Sequence, residues 1–327
     1  MSDYNLILYF KKEPEKDRII PGDHLVIPRL RELIKGKQIG GVEKVFINLC
    51  KGLDSLGIKY KVNTPFSKLK ATDRPIVLGT GKYILQGYTS PNPIIAGIGL
   101  MTHPSEWHDL ISSFPVIKYL QHCKWAADVY KPYYGDQLCD TWFAGIETEK
   151  WKPSENAEKK IDILIYNKVR WNKDEYRKAL INPIKDTLEA QGISYQEIVY
   201  GSYKENDYFQ LLNESRGMIF LCEHESQGFA CCEALSMNVP VLAWDQGFCL
   251  DPNRFKWGVT DIPATSVPFF DARCGERFKN FSEFSTAFSR FHSNLTTKKY
   301  EPREYILENL TLEKSALRML EIVSKIK

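Results

Sequence analysis

The chain has 327 residues, 43% of them apolar and 26% charged, and 44 Lys+Arg against 41 Asp+Glu leave a net charge of +3. That is the mix of a globular protein of about two domains, at roughly 100–200 residues each, and it excludes disordered, collagen-like and disulfide-stapled classes. A charge so near balance points to neither nucleic acid nor an anionic membrane.

The opening MSDYNLILYFKKEPEK places a short apolar stretch before its charges, the reverse of a signal peptide. No apolar run reaches the roughly 18–20 residues that span a bilayer, so a cytoplasmic protein with reduced thiols is expected. The eight cysteines include the adjacent Cys231 and Cys232 but no CxxC pair, so neither a zinc site nor a redox dithiol is supported. Leu6–Phe10 reads as a first strand. A polar stretch and Gly40-Gly41 follow, then a helix whose Val42, Val45, Phe46, Leu49, Leu53 and Leu56 share one face up to a stop at Gly57. Lys59–Val62, Pro75–Gly79, Pro93–Leu100 and Val116–Leu120 read as strands, and Pro104–Ser113 and Lys124–Tyr130 as helices.

A second series begins near residue 160: strand Ile161–Tyr166, helix Asp174–Gln191 ended by Gly192, strand Gln196–Tyr200, helix Asn206–Glu214, strand Gly217–Cys222, helix Phe229–Met237 and strand Val239–Trp244. Leu312, Ala316, Leu320, Val323 and Ile326 predict a long, docked C-terminal helix. The charged, proline-containing AGIETEKWKPSENAEKK between the series suits a linker near 150–158, with domains 1–152 and 153–327. Alternation of this kind belongs to α/β layers on mainly parallel sheets. Ligands of such sheets bind beyond the carboxyl ends of strands, and two such domains are expected to form a cleft.

The densest constellation is ESQGFACCE, Glu225 to Glu233, between an apolar strand and a helix and followed by ALSMNVPVLAWDQG. Gly228 lets backbone approach a ligand, and the amides at the helix start form an anion site in waiting. Glu225 and Glu233 are carboxylates suited to sugar or ribose hydroxyls; the plain alternative is a capped helix with an acidic surface. The segment resembles the signature of retaining GT-B glycosyltransferases of the group 1, or family-four, type: E-x-x-G-[FL]-x-x-x-E-A, then P-V-[LIV]-A. Here it is carried by Glu225, Gly228, Phe229, Glu233, Ala234, Pro240, Val241, Leu242 and Ala243. Asn238 stands where the family usually has Gly, and it too tolerates a left-handed helix terminus. Three weaker likenesses follow the family's order: QIGGVEKVFINLCKGLDSLG, FAGIETEKWKP and NKVRWNKDE.

The resemblance implies two Rossmann-like, doubly wound domains facing a central cleft, with the C-terminal helix docking back. It further implies transfer of a sugar from a nucleotide-diphosphate sugar to an acceptor, with retention. Lys173, with Lys168 or Arg170, would neutralise the diphosphate. Glu225 would orient the donor sugar and Glu233 the ribose. Gly228 and Phe229 would offer amides, Gly40 and Gly41 would approach the phosphates or the acceptor, Tyr200 and Gly201 would hold the base, and His103 would sit near the transferred sugar, with His108 a weaker candidate. Without the resemblance His103 is an ordinary structural histidine, and Gly79-Thr80-Gly81-Lys82 lacks the full phosphate-loop spacing. Asp245-Gln246-Gly247 is a further candidate for the same cleft.

No Asp-x-Asp occurs, so no metal or other cofactor is expected beyond the donor itself. No G-x-S-x-G or H-E-x-x-H supports a hydrolase. A sugar-nucleotide epimerase or phosphorylase of the same fold, and a non-catalytic sugar-nucleotide- or DNA-binding protein, stay open. The acceptor is a glycan, a lipid-linked group, a small molecule or, less in keeping with the charge, modified DNA. Lys35, Lys37, Lys68, Lys70 and Arg74 would serve that last partner, but read first as a solvated surface.

Overall fold

A computed structural model describes residues 4–11 and 39–326. The chain divides into two compact units, one of Met1–His122, Ala127–Trp142 and Ser315–Lys327, the other of Cys123–Ala126 and Phe143–Lys314. Lys35 and Lys37 lie outside the described residues; Lys68 and Lys70 are exposed, as a solvated surface requires.

The first unit is built on six parallel strands: β1 (Asn5–Tyr9), β2 (Tyr60–Val62), β3 (Asp73–Leu78), β4 (Ile94–Gly97), β5 (Val116–Gln121) and β6 (Cys139–Thr141), in the order β2-β1-β3-β4-β5-β6. The amphipathic stretch after Gly40 forms α1 (Gly41–Ser55), burying Val45, Leu49 and Leu53. One face of the sheet sets Ile7, Tyr9, Val77, Ile94, Ala96 and Tyr119 into a shared core.

Three expectations are corrected in this unit. Pro93–Leu100 is not one strand: β4 stops at Gly97, because Gly97, Ile98 and Gly99 all take positive φ, at 143°, 45° and 85°. Positive φ is costly for a β-branched residue such as Ile98. Pro104–Ser113 is not one helix but a 3₁₀ turn, Pro104–Glu106, and a short α2, Leu110–Ser113, separated by non-helical backbone at Trp107 (φ −147°, ψ 73°). The helix begun at Lys124 is longer than expected; α3 runs Lys124–Tyr134 through Pro132.

The second unit carries β7 (Ile161–Lys168), β8 (Tyr195–Val199), β9 (Ser215–Cys222), β10 (Val241–Trp244) and β11 (Gly275–Phe278), all parallel, in the order β11-β10-β9-β7-β8. Strand periodicity splits its core in two. Leu164, Tyr166, Met218, Phe220, Val241 and Ala243 pack on one side, and Ile163, Ile165, Ile219, Leu221, Leu242 and Trp244 on the other. The expected single helix over 174–191 is α4 (Lys173–Tyr176), a π-helical segment (Arg177–Ile181) and α5 (Asn182–Ala190). Pro183 lacks the amide that would bond back along the helix, and the π-helical segment ends just before its turn.

Next come α6 (Glu205–Glu214) and α7 (Phe229–Ser236). No element is read from periodicity between Trp244 and Leu312, yet this stretch supplies β11, α8 (Phe281–Thr296) and α9 (Pro302–Asn309). The last helix, α10 (Leu312–Ser324), buries Ala316, Met319, Ile322 and Val323. Its residues from Ser315 on belong to the first unit, where Trp142 Nε1 donates to the Ser315 carbonyl at 2.8 Å and Arg318 pairs with Asp140 at 2.8 Å. No helix among the described residues is long and apolar enough to cross a membrane.

Candidate functional site

In the second sheet β7 is flanked by β8 on one side and β9 on the other. The chain order reverses at the β7/β9 boundary, which makes it the switch point where open parallel sheets bind ligands. Lys168 ends β7 and pairs in register with Cys222, the end of β9. Three residues on, Glu225 returns its carboxylate to the Lys168 ammonium. Both side chains are mostly shielded, 15% and 13% exposed. Burial works against the charge on Lys168, but the Glu225 carboxylate outweighs it and raises the lysine's pKa. Burial likewise opposes ionisation of Glu225, and Lys168, then Arg170 and a Cys222 thiol hydrogen bond, pull its pKa below the usual carboxylate range. The pair is ionised on both sides at neutral pH.

The backbone around Glu225 is fixed. Its amide donates to the Thr265 carbonyl at 2.9 Å, and its own carbonyl accepts from Trp125 Nε1 at 2.9 Å. Thr265 is tied in turn to Asp245, through Oγ1 at 2.8 Å, so Asp245 serves loop geometry here. Gln227 clamps the Ala144 backbone, accepting from its amide at 2.8 Å and donating to its carbonyl at 3.1 Å. That joins the signature turn to the FAGIETEKWKP segment. Gly228 then opens α7 with φ +69°, the one backbone conformation in the turn that favours glycine. Phe229 is the first helical residue, and Glu233, 5% exposed, lies one turn further along the helix. At the far end Asn238 takes φ +57°, the left-handed terminus its place in the motif requires.

The remaining second-unit candidates flank the pair. Lys168 Nζ lies 4.5 Å from the ring centre of Tyr200, which is 54% exposed, and Gly201 turns the chain at φ +80°. Tyr203 and Tyr166 join hydroxyls at 2.5 Å behind it. Arg170 is otherwise engaged: Nη2 donates to the His224 carbonyl at 3.0 Å, and its guanidinium lies 4.3 Å from the Trp171 ring centre. Lys173, the first residue of α4, is exposed. The structure therefore brings Lys168 to Glu225, keeps Arg170 on the adjoining backbone, and leaves Lys173 at the surface.

Two residues that the motif does not single out prove central. Glu223 is fully buried, and its Oε1 accepts the amides of Arg170 at 2.7 Å and Trp171 at 3.0 Å. His224 stacks on Trp171 at 5.4 Å and meets Trp125 edge-on at 5.7 Å. Burial, then the nearby Arg170, pushes the His224 pKa down to about 4, so the ring is neutral. The only hint in the sequence is the polar run Glu223-His224-Glu225 directly after an apolar strand.

In the first unit, His103 is 1% exposed and caps its own turn, Nδ1 meeting Ser105 Oγ at 2.8 Å and the Ser105 amide at 3.2 Å. Burial is the main influence lowering its pKa. That is the structural role open to a lone histidine. Gly40 and Gly41 start α1 with ordinary negative φ at Gly40, and a Cβ at either would meet nothing within 4 Å among the described residues. Gly99 instead packs where its Cβ would strike Val42 of α1 at 2.7 Å, so the turns after β3 and β4 crowd against that helix start. Among the described residues no group of three or more His, Cys, Asp or Glu side chains suits a metal ion.

No protein-family model and no curated protein matches the sequence. Solved structures do match the fold. A TarM mutant from S. aureus, in complex with fondaparinux, alpha-GlcNAc-glycerol and UDP, aligns with a TM-score of 0.52 at 10% identity over 85% of this chain. WaaG, a glycosyltransferase involved in lipopolysaccharide biosynthesis, aligns at 0.51 and 10% identity over 98% of this chain and 100% of its own. The fold is GT-B.

A third structure, the N-terminal domain of trehalose-6-phosphate phosphatase from Candida albicans, aligns at 0.51 and 12% identity over 99% of this chain and 97% of its own. The chain spans 58% of the length of TarM, and the same share of a chain in the GtfA/B complex. At such identities the likeness carries the GT-B architecture and no residue's role. Within that architecture the Lys168–Glu225 pair occupies the switch point of the second unit's sheet.

Proposed function

We propose that this GT-B protein transfers a sugar from a nucleoside-diphosphate sugar to an acceptor, with retention and without a metal, the donor binding to the unit that holds Glu225. The observation that carries this reading is the ionised Lys168–Glu225 pair at the end of β7 and β9, followed at once by Gly228 and the start of α7. Two of the aligned structures support it: WaaG is a glycosyltransferase, and the TarM mutant was crystallised with UDP.

The chemistry follows from charge. Departure of a nucleoside diphosphate builds negative charge on its oxygens while the sugar ring turns oxocarbenium-like. Lys168 and the first amides of α7 face the leaving group, and Lys173 adds a mobile cation from the surface. A carboxylate kept ionised, Glu225, accepts hydrogen bonds from the sugar hydroxyls and offsets positive charge on the ring. Tyr200 offers a flat, exposed ring to a base, and Glu233 a carboxylate to ribose.

A thermal-shift panel of nucleoside diphosphates, followed by product analysis with the matching nucleotide sugars, tests the reading. One diphosphate is expected to raise the melting temperature of wild type and not of Lys168→Met, and the matching donor to glycosylate an acceptor. Conversion of the donor with no acceptor present, or wild-type turnover by folded Glu225→Gln, overturns it.

A further inference from the structure

Beyond Lys168 the ladder between β7 and β9 stops, yet the departing backbone is held. Val169 gives its amide to Asn167 Oδ1 at 3.2 Å. The next two amides, of Arg170 and Trp171, converge on a single oxygen of Glu223 at 2.7 and 3.0 Å. Glu223 is thus the side-chain continuation of the strand pairing. A buried carboxylate accepting two backbone amides makes strong, charge-assisted bonds and leaves the segment one conformation.

The second Glu223 oxygen, buried and without a hydrogen bond of its own, faces Arg170 Nε at 3.7 Å. Arg170 in turn reaches over to the His224 carbonyl. Side chain and backbone close a ring between residues 170–171 and residues 223–224. The two proposed charges leave the ring on either side, Lys168 two residues before it and Glu225 one residue after it on the chain.

We infer that Glu223 is a positioning residue, a latch that holds the 169–172 segment against the end of β9 and so fixes Lys168 opposite Glu225. This rests on the proposed reading only where turnover is concerned; the latch itself is a statement about backbone order. Without Glu223 two amides lose their acceptor, Arg170 loses its counter-charge, and Lys168 is no longer held in line. Displacement of a catalytic group by about 1 Å costs on the order of 100-fold in rate.

The test compares Glu223→Ala with Glu223→Gln in the full chain. Glutamine keeps an oxygen for the two amides, and alanine keeps none. Labelling of Lys168 by an amine-acylating reagent, read by peptide mass, is expected to speed up about tenfold or more in Glu223→Ala and to stay near wild type in Glu223→Gln. Turnover is expected to fall about 100-fold in kcat for Ala, with the donor KM changed little, and to be largely rescued by Gln. Equal labelling of Lys168 in wild type and folded Glu223→Ala overturns the latch. Altered labelling together with a wild type that turns over no nucleotide sugar leaves the latch standing and overturns the proposed activity instead.

Discussion

A lysine and a glutamate that share a mostly buried site stabilise each other, but the desolvation of both charges takes back much of that gain. Lys168 and Glu225 therefore make a weak contribution as a pair and a large one as a mutual dependence. Lys168→Met or Glu225→Gln alone is expected to destabilise the protein by up to about 3 kcal/mol, because one charge stays behind unpaired. The double variant is expected to recover most of that stability, and none of the three to recover turnover; the single losses are set at about 100–1000-fold. Denaturant melts of all four proteins, with rates, check this. If the double variant is no more stable than the worse single one, the pair is not the coupled unit described.

His224 gives a pH signature of its own. Its folded pKa lies near 4, below the ordinary 6.5, so the unfolded chain binds the proton more readily. The stability this histidine contributes is complete above about pH 6.5 and is lost as pH falls toward 4. Arg170, Glu225, Asp251 and Lys168 are the charged groups acting on it. Glu225, also depressed, begins to add its own loss only at the lower end of that window. Melting temperatures from pH 7 to 4.5 are expected to fall less steeply in His224→Gln than in wild type.

Glu225 was legible in the sequence because Gly228, Phe229, Glu233 and the Pro240–Ala243 run stand at fixed spacing from it. Glu223 and His224 were not, since their partners are backbone groups and rings brought over by the β7–β9 register. The choice between Lys168 and Arg170 was hidden for the same reason.

At the scale of elements, the turn into α7 depends on one dihedral. A Cβ on Gly228 would find ordinary contacts, Glu225 Cβ at 3.5 Å and Cγ at 3.6 Å, so space is not the constraint. The constraint is φ +69°, where an alanine costs about 1–2 kcal/mol. Gly228→Ala is expected to lose about that much stability, with turnover falling further as the turn relaxes. Gly41→Ala is the contrast, since among the described residues nothing lies within 4 Å of a Cβ there and the backbone is not left-handed. Its melting temperature is expected to hold or rise, and a fall in turnover despite that would mark close approach of a substrate. Melts and initial rates of the two variants separate the cases.

Periodicity located α1, α6 and α10 well because each buries one stripe. It failed where a chain break is set by packing: at Trp107, where a 4% exposed indole interrupts the helix, and at Ile98, forced to positive φ between two glycines. Phe284, Phe288 and Phe291 of α8 do repeat at helical spacing and are buried, so that helix was within reach of the pattern.

At the scale of the whole chain, the two sheets share a logic visible in the alternation of strands and helices, each with its own first strand set inside the sheet rather than at its edge. The path of the chain is less regular than the sequence implies. Residues 123–126 group with the second unit and those from Ser315 onward with the first. Amphipathic spacing shows that α10 must dock but not on what. The contacts decide: Trp142, fully buried, donates to the Ser315 carbonyl, and Arg318 meets both Asp140 and, at 3.4 Å, the Thr141 carbonyl. All of these lie in or beside β6, a strand of three residues that among the described residues is an edge strand with a neighbour on one side only. An edge so short has little ladder of its own, so the C-terminal helix supplies much of what keeps it in place. Deleting residues from Ser315 on is therefore expected to strip amide protection first from β6 and β5 of the first sheet, while β7, β9 and β10 of the second stay protected. Met319→Ala, removing a fully buried side chain, is expected to cost about 2–5 kcal/mol with the same spatial bias. Hydrogen exchange resolved by peptide reads both variants, and early loss of protection in β9 and β10 would show that α10 supports the other unit instead.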